Sequence, residues 1–175
     1  MSSDASEQSQ YLEAFPAWLA MLGEDVRALT TIASSRPEQD SVVERLALGL
    51  DYVLRSVRIL ADGTEELSYL DDAFVLRVAA RHALHSCESA DAEETLRDGV
   101  LGRLAQEAEL VASFLGEGDY EKLTARVERF EPSDPSRSVV EDALAWASAY
   151  GAPAFKAETR SLIRLRAFVA ARLAS

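Results

Sequence analysis

The sequence predicts an all-α protein, a single-domain bundle of about six or seven helices. Apolar residues recur three and four positions apart, which places them on one face of a helix, and alternating strand patterns are absent. The chain has 175 residues and a hydrophobic content of 48%, which suits one domain with a substantial core. The single cysteine, Cys87, cannot form an internal disulfide, so the core must hold the fold together.

Helical periodicity and breaker residues divide the chain into about seven predicted helices joined by short loops. We expect residues 1–9 to form a flexible N-terminus and residues 10–175 to form the single domain. The predicted helices cover roughly residues 10–34, 38–60, 69–88, 91–115, 119–130, 139–150 and 153–174.

Local signals set the boundaries between these helices. Pro16 marks a kink or a new first turn inside the first helix. Ser41 followed by Glu44 has the capping-box spacing at the start of the second helix, and Gly63 favours its end. The segment EPSDPSRS contains two prolines, which predicts a linker over residues 131–138.

Composition excludes several classes of function. The net charge of −12 argues against a nucleic-acid-binding protein, and no apolar run is long enough for an integral membrane segment. The N-terminus lacks the basic start and apolar core of a secretory signal, so we expect a cytoplasmic protein. Lys122 and Lys156 are the only lysines, and this bias toward arginine is typical of GC-rich bacterial genes.

The stretch RILADGTEELSYLDDAFVLRV, residues 58–78, carries the candidate functional residues. Asp71 and Asp72 stand side by side at the start of an apolar run, and Asp62 lies upstream. Ser68 is a favourable N-cap residue, and a carboxylate three positions later can accept a hydrogen bond from the cap's own N–H. The spacing therefore predicts that Asp71 and Asp72 begin a helix, where the helix dipole favours negative charge.

The same stretch resembles the YkvA-type family of bacterial helical domains, a family of unknown function whose hallmark runs approximately SPIDLIPDxIPxLGYLDD. This chain departs from the hallmark at several positions, with Ser56, Ala61 and Glu65 in place of proline, Arg58 in place of aspartate and Ser68 in place of glycine. The resemblance implies a helical hairpin over residues 40–88 with a tight connection at 60–70, and it carries over no catalytic residue. The positions that match in identity or kind are Val57, Ile59, Leu60, Asp62, Leu67, Tyr69, Leu70, Asp71 and Asp72.

These observations favour a non-enzymatic interaction or adaptor module that presents an acidic corner to a protein partner. Asp62, Asp71 and Asp72 would contact basic groups of the partner, and Tyr69 would supply contact area. A homodimer also suits the apolar helical faces. The alternative from another class is a metal-dependent hydrolase that uses the same three aspartates to bind a divalent ion.

His82, His85 and Cys87 lie close together in the sequence, and the two histidines can share a helix face. Because a CxxC partner and an HExxH motif are absent, we predict no metal site there. The chain also lacks a nucleophile elbow, a phosphate-binding glycine loop and a dinucleotide motif, so we predict no catalytic residue and no cofactor.

The C-terminal segment 156–175 is basic in an otherwise acidic chain. Its apolar residues, Leu162, Leu165, Phe168, Val169 and Leu173, recur at helical spacing. We expect this stripe to pack on the core while the arginines meet acidic residues of the same molecule. A peripheral membrane protein that uses the segment as a basic amphipathic helix is a further alternative.

Overall fold

The computed structural model describes the backbone of residues 2–55, 65–129 and 135–174, and every regular element in these ranges is an α-helix. The predicted all-α class is confirmed. The described ranges contain eight helices, more than the six or seven predicted. In chain order they are α1 (Ser2–Ser34), α2 (Ser41–Arg55), α3 (Glu65–His85), α4 (Ala90–Arg97), α5 (Val100–Leu115), α6 (Glu117–Glu128), α7 (Ser136–Ala149) and α8 (Arg160–Leu173).

The additional helix comes from a break inside the predicted helix 91–115. Its first part is α4 and its second part is α5, because the chain turns at Asp98 and Gly99. The turn brings the end of α4 against α5, so that a Cβ on Gly102 would lie 1.8 Å from the Arg97 carbonyl oxygen. Only glycine allows this contact. Because apolar residues recur at helical spacing on both sides of the turn, the break between α4 and α5 could not be recognised from the sequence pattern.

The cap of α2 differs from the predicted capping box of Ser41 and Glu44. The N-terminus is capped by Asp40, whose Oδ1 accepts a hydrogen bond from the backbone N–H of Val42 at 2.9 Å. Ser41 is the first residue of α2, and its hydroxyl donates to the Ser86 carbonyl at 2.8 Å. Asp40, which precedes the helix, therefore provides the hydrogen-bond partner of the Val42 N–H, and Ser41 instead connects α2 to the end of α3.

Other predicted boundaries also shift. α1 begins at Ser2, so the helix includes most of the predicted flexible N-terminus, and Pro16 lies within it. α7 begins at Ser136, inside the predicted linker 131–138. α8 begins only at Arg160, after a segment without regular structure, and Thr159 caps it by accepting a hydrogen bond from a backbone N–H. The predicted connection at 60–70 lies partly outside the described residues, and its described part, 65–70, belongs to α3.

α3 is the central helix of the bundle. Every residue from 71 to 80 is buried, and α3 packs against α1, α2, α4, α5 and α6. Its approach to α2 is close, because a Cβ on Gly49 would lie 2.5 Å from the Ala79 Cβ. α7 packs on α1 and α2, and α8 packs mainly on α1. A helix buried on all sides must be apolar on all sides, so any charged residue on α3 is conspicuous.

Candidate functional site

The buried part of α3 carries three charged residues. Asp71 and Asp72 have exposed fractions of 2% and 5%, and Arg77 has 0%. Arg77 lies five positions after Asp72, a rise of about 7.5 Å along the helix. Because burial of a charge is costly without a partner, each position requires an explanation.

Asp71 and Asp72 do not begin a helix, contrary to the capping prediction. α3 starts at Glu65, so both aspartates lie beyond its first turn and Ser68 is inside the helix. Burial, followed by the repulsion of Asp71, raises the pKa of the Asp72 carboxyl from 3.8 to about 8. Asp72 is therefore largely protonated at neutral pH, which lets the core accommodate two adjacent acids.

Neighbouring tyrosines respond to the same environment. Tyr52 of α2 is buried, and burial followed by the charge of Asp71 raises the pKa of its hydroxyl. Burial also raises the pKa of Tyr150, with smaller contributions from Tyr69 and Asp72. The region around the aspartates therefore disfavours negative charge.

The other residues predicted for the acidic corner are placed differently. Asp62 lies outside the described residues. Tyr69 is half-buried, and its ring meets that of Tyr150 edge-on at 5.1 Å between centroids. Trp146 stacks on Tyr150 at 5.1 Å, and the Tyr150 hydroxyl donates to the Leu19 carbonyl of α1 at 2.7 Å. Tyr69 thus belongs to an aromatic cluster that joins α3 to α7.

Asp71 and Asp72 are consequently not presented on the surface of the described fold. An interaction surface needs side chains that a partner can reach, and these carboxyls are almost completely inaccessible. The prediction that this corner meets a partner's basic groups stays a prediction, and it would require Asp71 and Asp72 to become accessible. Of the other two predicted contact residues, Tyr69 is engaged in the aromatic cluster and Asp62 is not among the described residues.

Arg77 sits in a charge network that connects three helices. Its Nη2 lies 2.7 Å from Oε2 of Glu107 on α5 and 3.6 Å from Oδ2 of Asp25 on α1. Arg103 of α5 contacts both carboxylates, with Nη1 at 3.1 Å from Glu107 and Nη2 paired with Asp25. Two guanidinium groups thus face two carboxylates, so the formal charges of the four groups balance.

Further contacts hold the Arg77 side chain in place. Nη1 donates to the Ala73 carbonyl at 3.0 Å, and the guanidinium carbon lies 3.8 Å from the ring centroid of Trp18. Burial lowers the pKa of Arg77 to about 10, against the opposing effect of Glu107 and Asp25. The arginine therefore remains charged at neutral pH. Sequence reasoning missed this network, although the single charge in the run AFVLRVAA signalled it.

The histidine–cysteine segment does not form a cluster of ligands. His82 Nδ1 lies 3.5 Å from Glu128 Oε1, whereas His85 is exposed. Burial lowers the pKa of His82 and raises the pKa of the Cys87 thiol. Across the described ranges, no three His, Cys, Asp or Glu residues are grouped so that they could hold a metal ion.

The C-terminal helix packs largely as the sequence predicts. Leu162, Leu165 and Val169 are buried, and Arg172 contacts Asp119 and the Leu115 carbonyl at the junction of α5 and α6. These contacts anchor one face of α8 to the bundle. None of the helices in the described part of the chain is both long and apolar enough to cross a bilayer.

Comparison of the chain with protein-family models, with curated proteins and with solved structures finds no significant match. The YkvA-type resemblance therefore stays a prediction carried by the residues quoted above.

Proposed function

We propose that this protein is a non-enzymatic helical module that binds a protein partner through the outward face of α8. The observation that carries the proposal is Ile163, whose exposed fraction of 58% is the highest among the exposed large hydrophobic residues of the described chain. Such a residue gains most when a partner covers it, because burial of apolar area drives association.

Charge identifies the kind of partner. α8 has the sequence RSLIRLRAFVAARL, with four arginines and no acidic residue. Arg160 and Arg166 are exposed on either side of Ile163, and Ala167 and Ala170 extend the apolar surface. This combination fits an acidic surface with an apolar centre, since opposite charges guide association and apolar contacts retain the partner. The proposed partner surface is therefore acidic, in place of the basic partner surface expected for the acidic corner.

The test compares the wild-type chain with Ile163→Glu as affinity baits. A protein captured by the wild type is purified and titrated against both baits, with Leu144→Glu as the matched control because Leu144 is also exposed, at 47%, but lies on α7. We expect at least about tenfold weaker binding to I163E, unchanged binding to L144E, and weaker binding at high salt. Equal binding to I163E would contradict the proposal.

Two further experiments distinguish the other candidate partners. Flotation of the wild-type chain with vesicles that contain phosphatidylserine would favour the peripheral membrane alternative. Sedimentation over a range of concentrations tests the homodimer, in which an acidic surface of a second copy would cover α8. Either result, if abolished by I163E, would replace the proposed partner with a membrane or with the chain itself.

The metal-dependent hydrolase is favoured by one observation, the two adjacent buried carboxyls of Asp71 and Asp72, because a cation could replace the proton there. Consecutive helical residues point in different directions, so both carboxylates would not readily bind the same ion. In this alternative, Asp62 is the third ligand. Elemental analysis, and thermal unfolding with and without a chelator, tests this alternative: a bound ion and a lower midpoint after chelation would support it.

A further inference from the structure

A cleft opens where the C-terminal end of α3 meets α4 and the start of α5. Its volume is about 540 Å³, which is enough for a small organic molecule. Leu84 and Ala105, both buried, form its apolar part. The cleft lies apart from α8 and from Asp71 and Asp72, so its use is independent of the proposed function.

Basic groups are concentrated in this cleft. Arg81, His85, Arg97 and Arg103 all line it, in a chain whose 30 acidic residues far outnumber its 18 lysines and arginines. Arg103 contacts Asp25 and Glu107, and Arg97 contacts Glu93. Of the three arginines, Arg81 alone makes no ion pair with another described residue, and it is half-buried. A guanidinium in this setting is ready for an anionic ligand.

The backbone at the start of α5 supports the same chemistry. Gly99 and Gly102 line the cleft, and among the described residues no side chain caps this helix terminus. The first N–H groups of a helix lack partners within the helix, and the dipole favours an anion near them. The terminus supplements the arginines, which are the main reason to expect an anion.

Two carboxylates oppose this tendency and restrict the ligand. Asp98 and Glu109 also line the cleft, and both are exposed. Together with the net charge of −12, they disfavour a polyanion such as nucleic acid. A small ligand with one compact anionic group can instead place that group on Arg81 and its organic part on Leu84 and Ala105.

From these observations we infer that the cleft between α3, α4 and α5 binds a small phosphate monoester through Arg81. Arg103 and Arg97 provide secondary contacts with N–H donors that their carboxylate partners leave available. Binding through Arg103 would also connect the ligand to the Arg77 network.

The test is an NMR titration of the full chain with inorganic phosphate and, separately, with phenyl phosphate at constant ionic strength. We expect saturable shifts of the Gly99 and Gly102 amide signals, with tighter binding of phenyl phosphate because its ring contacts the apolar part of the cleft. Arg81→Gln should weaken binding at least about tenfold. Arg137→Gln, at an exposed position on α7, is the matched control and should bind as the wild type does.

Three outcomes would overturn the assignment: no saturable shift, equal binding to R81Q and the wild type, or equal loss in R137Q. Signal dispersion in the variant spectra establishes whether R81Q is folded. If it is not, Arg97→Gln replaces it, since Arg97 is largely exposed, and should also weaken binding. Unchanged binding in R97Q would then count against the inference.

Discussion

Arg77 and the Asp71–Asp72 pair lie on the same buried helix, about one and a half turns apart, yet their charges are accommodated differently. Arg77 keeps its charge because Glu107 and Asp25 reach it from two other helices. Asp72 instead loses its charge at neutral pH, since burial and Asp71 raise its pKa to about 8. The comparison shows two ways in which a core tolerates ionisable residues: pairing with opposite charge, and protonation.

The largest effect is expected from disrupting the ion pairs of Arg77 with Asp25 and Glu107. Arg77→Met removes the charge that Asp25 and Glu107 share, and leaves both carboxylates without their buried partner. We expect a loss of about 3–5 kcal/mol in the free energy of unfolding, measured by urea titration. The triple variant that also carries Asp25→Leu and Glu107→Met should recover much of this loss. A single variant as stable as the wild type would show that the network contributes little.

The contribution of Asp72 to the stability of the fold should depend on pH. The pKa of Asp72 rises from 3.8 in the unfolded chain to about 8 in the folded protein. A raised pKa of an acid stabilises the fold below pH 3.8, and this contribution is lost as the pH increases to about 8. Asp72→Asn, which cannot ionise, should therefore be more stable than the wild type at pH 8, by at least about 1 kcal/mol.

Urea titrations of both proteins between pH 5 and pH 8 check this prediction over the window that the shift defines. The difference in stability between D72N and the wild type should grow as the pH increases. Asp98→Asn, at an exposed position, serves as the control and should leave the pH dependence unchanged. A constant difference across the range would mean that Asp72 titrates normally.

A smaller effect on stability is expected from changing Trp18, whose ring contacts the Arg77 guanidinium. Trp18 covers the Arg77 guanidinium at 3.8 Å, and indole binds cations more strongly than a benzene ring does. Trp18→Phe should cost about 1–2 kcal/mol of stability in the wild type. In the R77M background the cost should be smaller, because the cation is absent. A double-mutant cycle from thermal or urea unfolding measures this coupling, and additive effects would exclude a cation–π contribution.

The smallest effect is expected at an exposed ion pair. Arg97 and Glu93 interact on the surface of α4, which has no buried residue. Arg97→Ala should change the stability by less than about 1 kcal/mol, because solvent screens the pair. This variant gives the baseline for R77M in the same urea titration. A comparable loss in the two variants would show that burial does not explain the importance of Arg77.

The helical class and the packed face of α8 follow from periodicity alone, because both depend on local spacing. The buried position of Asp71 and Asp72 could not be predicted from periodicity. Ser68 is a plausible cap, but the helix begins earlier, at Glu65, and this places the aspartates in the interior. The spacing rule was correct about helical structure and wrong about which residue begins the helix, since several residues before an apolar run can fulfil that role.

The Arg77 network could be suspected from the sequence but not assembled from it. A lone arginine in an apolar run suggests a buried ion pair, yet its partners Asp25 and Glu107 lie in distant helices. Many acidic residues of the chain could have paired with it, and only the packing of α1 and α5 on α3 selects two of them. The same limit applies to the cleft, where Arg81 and Arg103 come together through the contact of α3 with α5.

The complete burial of the middle of α3, residues 71–80, also has a consequence for biosynthesis. Arg77 leaves the ribosome before Arg103 and Glu107, which complete its surroundings, so the nascent chain must keep this guanidinium hydrated in the meantime. The central helix therefore cannot reach its final environment until α5 has been synthesised. Fragments that end before α5 should accumulate as loosely folded species, and the protein should acquire its stability late in translation.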